Sequence, residues 1–138
     1  MALGTATSIN AVFNDKDFKE GHGGHLARVT FTPRQIFLAD DKERLRHDIE
    51  LMKKDPAKAE EVKKLTAGRT VSTPMKIDAA TWHSCVIELI GDELRVTLDE
   101  KQAAYLKSSG IAHPEKSDFY FAVAGESQFD EVRVWQAK

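Results

Sequence analysis

The stretch Cys85-Val86-Ile87-Glu88-Leu89-Ile90-Gly91-Asp92-Glu93-Leu94-Arg95-Val96-Thr97-Leu98-Asp99 decides the fold class of this chain. Val86 to Ile90 is almost wholly apolar and rich in strand formers, which predicts a strand buried on both faces, as at the centre of a sandwich. Gly91-Asp92-Glu93 reads as a tight turn. Leu94, Val96 and Leu98 then alternate with Arg95 and Thr97, the period of two that marks a half-buried strand. Two strands joined by a turn make a hairpin.

The rest of the C-terminal third, Thr81 to Lys138, continues in this manner. Phe119-Tyr120-Phe121-Ala122-Val123 and Phe129-Asp130-Glu131-Val132-Arg133-Val134-Trp135 are two further β-like runs, separated by the turn formers Gly125-Glu126-Ser127. Trp82 is expected in the core, and Trp135 at its edge as a cap. Lys101 to Gly110 is compatible with a short helix or an irregular strand, and its pattern does not separate the two.

Upstream, Ile9, Ala11 and Phe13 share one face of a strand that ends at Asn14-Asp15. A loop from Lys16 to Gly24 follows, with three glycines in Gly21-His22-Gly23-Gly24. From Leu26, alternation returns: Ala27, Val29 and Phe31 on one face, Arg28, Thr30 and Thr32 on the other. Pro33-Arg34 turns the chain into Gln35-Ile36-Phe37-Leu38-Ala39. Between Lys42 and Thr66 the composition shifts to helix formers. Leu45, Ile49 and Met52 make one apolar stripe, and Ala59, Val62 and Leu65 a second. Asp55-Pro56 supplies an N-cap and a proline at the first helical position. A helical hairpin inserted at residues 42–66 is expected. Val71 to Ile77 is a short strand whose Pro74 suits a sheet edge.

The 138 residues fit a single domain, with net charge −2. That balance offers no basic surplus for nucleic acid, and no apolar run reaches the ~20 residues of a membrane span. The lone Cys85 excludes an internal disulfide and reads as a buried structural thiol. The opening residues do not resemble a signal peptide, and the chain is compatible with a fragment of a longer one. The sum is an all-β chain with one helical excursion: strands at ~8–12-residue spacing suggest an antiparallel sandwich or barrel.

Several of these residues also carry a resemblance. Trp82-His83, the Gly91-Asp92 turn, Asp99, Gly125-Glu126-Ser127 and the closing Phe129-Asp130-x-Val132-x-Val134-Trp135 resemble the concanavalin A-like, or laminin G-like, jelly-roll domains. Within these, the chain is most similar to bacterial domains related to 3-keto-disaccharide hydrolases. Gly24-His25-Leu26-Ala27-Arg28-Val29 is similar to an upstream strand of the same group. The likeness covers about two thirds of the chain. Two departures stand out: Glu100 occupies the place of a usual turn glycine after Asp99, and Lys42–Thr66 is longer than the loop expected there. The resemblance implies an antiparallel concanavalin A-like β-sandwich, a tendency to bind sugars, and a periplasmic or extracellular home. It transfers no catalytic residue.

Three functions remain open. The leading one is a carbohydrate-recognition or accessory module, with His25, Arg28, His83 and Arg95 as ligand contacts and Tyr120, Tyr105 or Trp135 as a stacking ring. The second is a glycoside or 3-keto-disaccharide hydrolase drawing carboxylates from Asp15, Asp17, Glu126 or Asp130; catalytic residues are otherwise unknown. The third is a protein-interaction module whose stripe of Leu45, Ile49 and Met52 binds a partner helix; a second copy or another domain is the partner class expected. For a metal, the weak candidates are His22, His25 and Asp15, whose imidazoles and carboxylate suit zinc-like ions. Glu126, Asp130 and Glu131 would suit calcium. A solvated loop is the plainer account of the His-x-x-His pair, because no helix fixes both rings on one side.

Overall fold

A computed structural model describes residues 1–136; Ala137 and Lys138, the end of the C-terminal stretch, lie outside the described residues. The chain forms β1 (Ser8–Asn14), β2 (His25–Phe31), β3 (Gln35–Asp40), α1 (Asp41–Arg44), α2 (His47–Met52), α3 (Ala59–Thr66), β4 (Thr70–Pro74), β5 (Cys85–Ile90), β6 (Glu93–Leu98), β7 (Lys101–Lys107) and β8 (Asp118–Ala124). These make two antiparallel sheets. One has five strands in the order β4-β3-β2-β1-β8; the other has three, β5-β6-β7.

The alternation seen in the sequence places the core. Ile9, Ala11, Ala27, Val29, Phe31, Ile36 and Leu38 line the inner face of the larger sheet, and Leu94, Val96, Ala104 and Leu106 that of the smaller. β7 packs over β3 and β4. The turn at Gly91 has φ +58 at its first central position and suits the twist of the β5–β6 hairpin. The β6–β7 turn puts both Asp99 (φ +49) and Glu100 (φ +67) in the left-handed region. A two-residue turn of this hand normally favours glycine, so Glu100 holds a conformation that its side chain disfavours.

Four expectations are corrected. Val86 to Ile90 is not a central strand. β5 is an edge, and Val86 and Ile90 face solvent on its outer side. Trp82 is not core; it is 52% exposed in the loop before β5. Phe129 to Trp135 forms no strand: Gln128 bridges Ala2, and beyond it the segment bends at Glu131 (φ +51) and has no strand partner among the described residues. Trp135 therefore caps nothing and is 74% exposed. Lys101–Lys107, which the pattern left open, is a strand. A register shift between Val96 and Thr97 breaks its alternation, which hid it.

The segment from Asp41 to Thr66 is built of short helical pieces rather than two long helices. The first apolar stripe is interrupted because Arg46 is extended (φ −60, ψ 144). Its neighbours pair with the glycine loop: His22 N–H donates to Leu45 O at 3.2 Å, and His47 N–H to Glu20 O at 3.0 Å. Asp55 caps as expected, accepting from Ala57 N–H at 3.0 Å ahead of Pro56. Of the stripe, Ile49 is fully buried in its own chain, while Leu45 and Met52 are half-buried.

One buried polar knot ties the helical segment to the smaller sheet. Asp40 has no exposed surface. Its carboxylate accepts from Glu43 N–H at 3.1 Å, capping α1, from Gly110 N–H at 2.9 Å, and from the Ser108 hydroxyl. Arg69 approaches it at 3.4 Å and donates to Ser108 and Ser109 at 2.9 Å. A buried carboxylate is tolerated only when its oxygens are served in this way.

Candidate functional site

The outer face of the five-stranded sheet is the best candidate. Strand register puts Tyr120, Val12, Arg28, Ala39 and Thr70 in one row across it, and Ala122, Asn10, Thr30, Phe37 and Ser72 in the next. Tyr120, on the edge strand β8, is 42% exposed. Thr30 donates to Asn10 Oδ1 at 2.6 Å, and the Asn10 amide N–H groups donate no hydrogen bond among the described residues. Arg28 lies over the Phe37 ring at 5.8 Å and faces Asp41 at 3.5 Å. Asp41 is itself buried and held by Arg44 at 2.7 Å. The Arg28 guanidinium is thus positioned from two sides, and its terminal nitrogens make no hydrogen bond among the described residues.

His25 reaches the same face by a local irregularity. β1 and β2 pair Phe13 with Ala27 but Asn14 with His25, so Leu26 is an extra residue. With strict alternation His25 would share the inner face of Ala27 and Val29. The bulge turns it to the side of Asn14 and Arg28, a common use of such features beside binding sites. His25 Nδ1 lies 2.8 Å from Asn14 Oδ1. If that oxygen accepts, Nδ1 carries the proton and Nε2 keeps a lone pair. Burial lowers the His25 pKa, with Asp41 working against it and His22 and Arg28 adding to the fall. A neutral imidazole results at neutral pH.

The other expected contacts lie elsewhere. His83 sits at the β6–β7 turn, with Nδ1 2.7 Å from Asp99 Oδ2 and Nε2 2.9 Å from Asp78 O. Both partners are acceptors, so the arrangement favours the doubly protonated ring, braced between two loops. Burial opposes its charge, but the bonds to Asp99 and Asp78 outweigh this and raise its pKa. No nitrogen is left for a ligand. Arg95 is on the outer face of the smaller sheet, between Glu88 and Tyr105 in register and 5.7 Å over the Tyr105 ring. Only His25 and Arg28 of the four share a surface.

The metal candidates do not converge. The His22 and His25 rings are 5.6 Å apart. The Asp15 carboxylate turns away to His113 Nε2 at 2.7 Å, and that bond, with the Asp17 N–H, holds its pKa below the usual range. Among the described residues no group of three or more His, Cys, Asp or Glu side chains is placed to hold a metal ion. The carboxylates proposed for hydrolysis are also divided. Asn14 pairs with Asp118 at one end of the β1–β8 ladder and Ser8 with Ala124 at the other. Asp15 and Asp17 follow the first end, and Glu126 and Asp130 the second. Six residue steps at about 3.4 Å each separate them by roughly 20 Å, against ~5–9.5 Å for a glycosidase pair.

Sequence reasoning missed Asn10, Phe37, His113 and Asp40. The period of two in Gln35–Ala39 carried Phe37 opposite Ile36 and Leu38, and would have found it. Asn10 followed likewise from Ile9 and Ala11. The knot at Asp40 had no local signal, since Ser108 and Gly110 are about seventy positions away. Burial holds the Cys85 thiol protonated, with its pKa raised to about 11, in keeping with a structural role. Among the described residues no helix is long and apolar enough to cross a membrane. Compared with known proteins, the chain matches no family model, no curated protein and no solved structure.

Proposed function

We propose that this chain is a carbohydrate-recognition or accessory module of a bacterial glycan-processing system, built on a concanavalin A-like jelly roll. Residues 42–66 would be a helical insertion in that fold. It would work outside the cytoplasm, as the sequence resemblance implies. The observation that supports this reading is the outer face of the five-stranded sheet. There an exposed Tyr120 and a half-exposed Phe37 flank Asn10, Thr30 and Arg28. A sugar offers a weakly apolar face and a rim of hydroxyls, so it calls for a ring to stack on and fixed donors and acceptors beside it. Neighbouring strands are about 4.8 Å apart. Tyr120 on β8 and Phe37 on β3 are thus separated by roughly 14 Å, a span suited to a short oligosaccharide.

In this reading Arg28 and Asn10 donate to ring hydroxyls, while neutral His25 accepts through Nε2 at the end of the platform. The alternatives find less support. The hydrolase reading lacks two facing carboxylates among those named, and the stripe offered for a partner helix places Ile49 in the chain's own core. A glycan array followed by titration calorimetry tests the proposal. Tyr120→Ala and Arg28→Ala should each weaken binding of any sugar hit by at least about tenfold, ~1.4 kcal/mol. Arg95→Ala, on the opposite sheet, should leave it unchanged. An array with no hit, or a hit indifferent to Tyr120 and Arg28, would overturn the proposal.

A further inference from the structure

The two sheets differ in width, and the difference leaves a slot. The smaller sheet ends at β5, whose outward main-chain N–H and C=O groups have no strand partner among the described residues. The larger sheet extends to β8, where Phe119, Phe121 and Val123 are only partly buried. Phe129 enters this slot and stacks on Phe121, with ring centres 4.3 Å apart. Beyond it, Val132 is 55% and Val134 70% exposed, as is Trp135 nearby. After a left-handed turn at Glu131 (φ +51), Val132 to Trp135 has the alternation of a strand and makes no main-chain pairing in its own chain among the described residues.

We infer that the tail of one copy completes the smaller sheet of a second copy, and the reverse, in a symmetric strand exchange. The fit is specific. β5 carries Ile87 and Leu89 on its inner side and Val86, Glu88 and Ile90 on its outer side. An antiparallel tail with Arg133 opposite Glu88 sets Val132 beside Leu89 and Val134 beside Ile87. Both valines then cover the open face of β8. Trp135 falls beside Val86 on the outer side, where each residue now lies open to water. Arg133 meets Glu88, and its present neighbour, Glu131 at 4.0 Å, is an exposed contact of little strength. Main-chain pairing supplies affinity and the alternate side chains supply register, as in other strand additions. Two identical exchanges close on themselves, so the product is a dimer and not a fibre.

Sedimentation velocity on the full chain tests this, with circular dichroism as a check on folding. The wild type should be a dimer. Glu88→Arg alone and Arg133→Glu alone each set like charges opposite one another in both exchanges, and should raise the dissociation constant at least about tenfold. Mixing the two variant chains should restore the dimer, because each exchange then pairs opposite charges. A monomeric wild type would overturn the inference. So would variants that dimerise as well as the wild type, or a mixture that stays monomeric, the last being the result for a tail that pairs within its own chain.

Discussion

Replacing Gly110 with alanine would drive a methyl group into the buried Asp40 carboxylate. A Cβ on Gly110 would lie 2.5 Å from Asp40 Cγ and 2.6 Å from Oδ2. Gly110 does not have a positive φ, so the backbone itself accepts alanine and the cost is steric. Asp40 has nowhere to go, because the Glu43 and Gly110 N–H groups, Ser108 and Arg69 all hold it. Overpacking costs about 1–3 kcal/mol. Displacing the carboxylate from one charge-assisted hydrogen bond adds about 1.5–3. Gly110→Ala should therefore destabilise the chain by about 3–5 kcal/mol in urea unfolding, a large share of the ~5–15 typical of a domain. Asp40→Ala also destabilises, but in that background the methyl meets no carboxylate. The second substitution should then cost nothing, or stabilise by up to about 0.5 kcal/mol through the unfolded chain. The cycle should thus show a coupling of about 3 kcal/mol. A Gly110→Ala cost below about 0.5 kcal/mol, or the same cost with and without Asp40, would refute the reasoning.

Glu100→Gly should stabilise by about 0.5–1 kcal/mol in thermal melts, since it relieves a left-handed residue of its Cβ. Trp82→Ala should cost under about 1 kcal/mol in urea, because Trp82 is half exposed, whereas Phe31→Ala, fully buried, should cost about 3–5. The His83–Asp99 pair gives stability a pH window. The folded pKa of His83 is raised above 6.5, so its contribution is complete below about that pH and is lost as pH rises through the folded value. That of Asp99 is lowered below 3.8, so its contribution is complete above about that pH and is lost as pH falls. The pair should stabilise most between about pH 4 and 6.5, and His83→Gln should flatten this feature in unfolding curves taken across pH.

The strands of the larger sheet were legible because each buries one face and wets the other. Ala27, Val29 and Phe31 against Arg28 and Thr30 need no further information. The tail was misread for the opposite reason. Phe129-Asp130-Glu131-Val132-Arg133-Val134-Trp135 has the composition of a strand, but a strand also needs a neighbour, and composition does not name one. Val86–Ile90 was placed at a sheet centre on its apolarity alone, while its actual place at the rim is set by which strands are absent beside it. Arg28 was legible as a surface residue of the platform. His25 was picked from its chemistry, but its face was decided by the extra residue Leu26, which no period of two can announce. His83 is expected as a ligand contact from its place at a strand start, on the face opposite Trp82; Asp78 and Asp99, brought to it by two turns, use both its nitrogens.

The pairing of β8 with β1 has a consequence for the order of events in folding. β1 to β3 form a meander of near neighbours, and β4 joins after the helical segment. β8 must instead return across more than a hundred residues, with Ala124 meeting Ser8. Contacts so distant in sequence are slow to form, because the loop closure is unfavourable before any of them exists. Until that return, β1 is itself a bare edge, and the row that ends in Tyr120 is missing its last member. The outer face of the larger sheet should thus be completed late, after the local hairpins have formed.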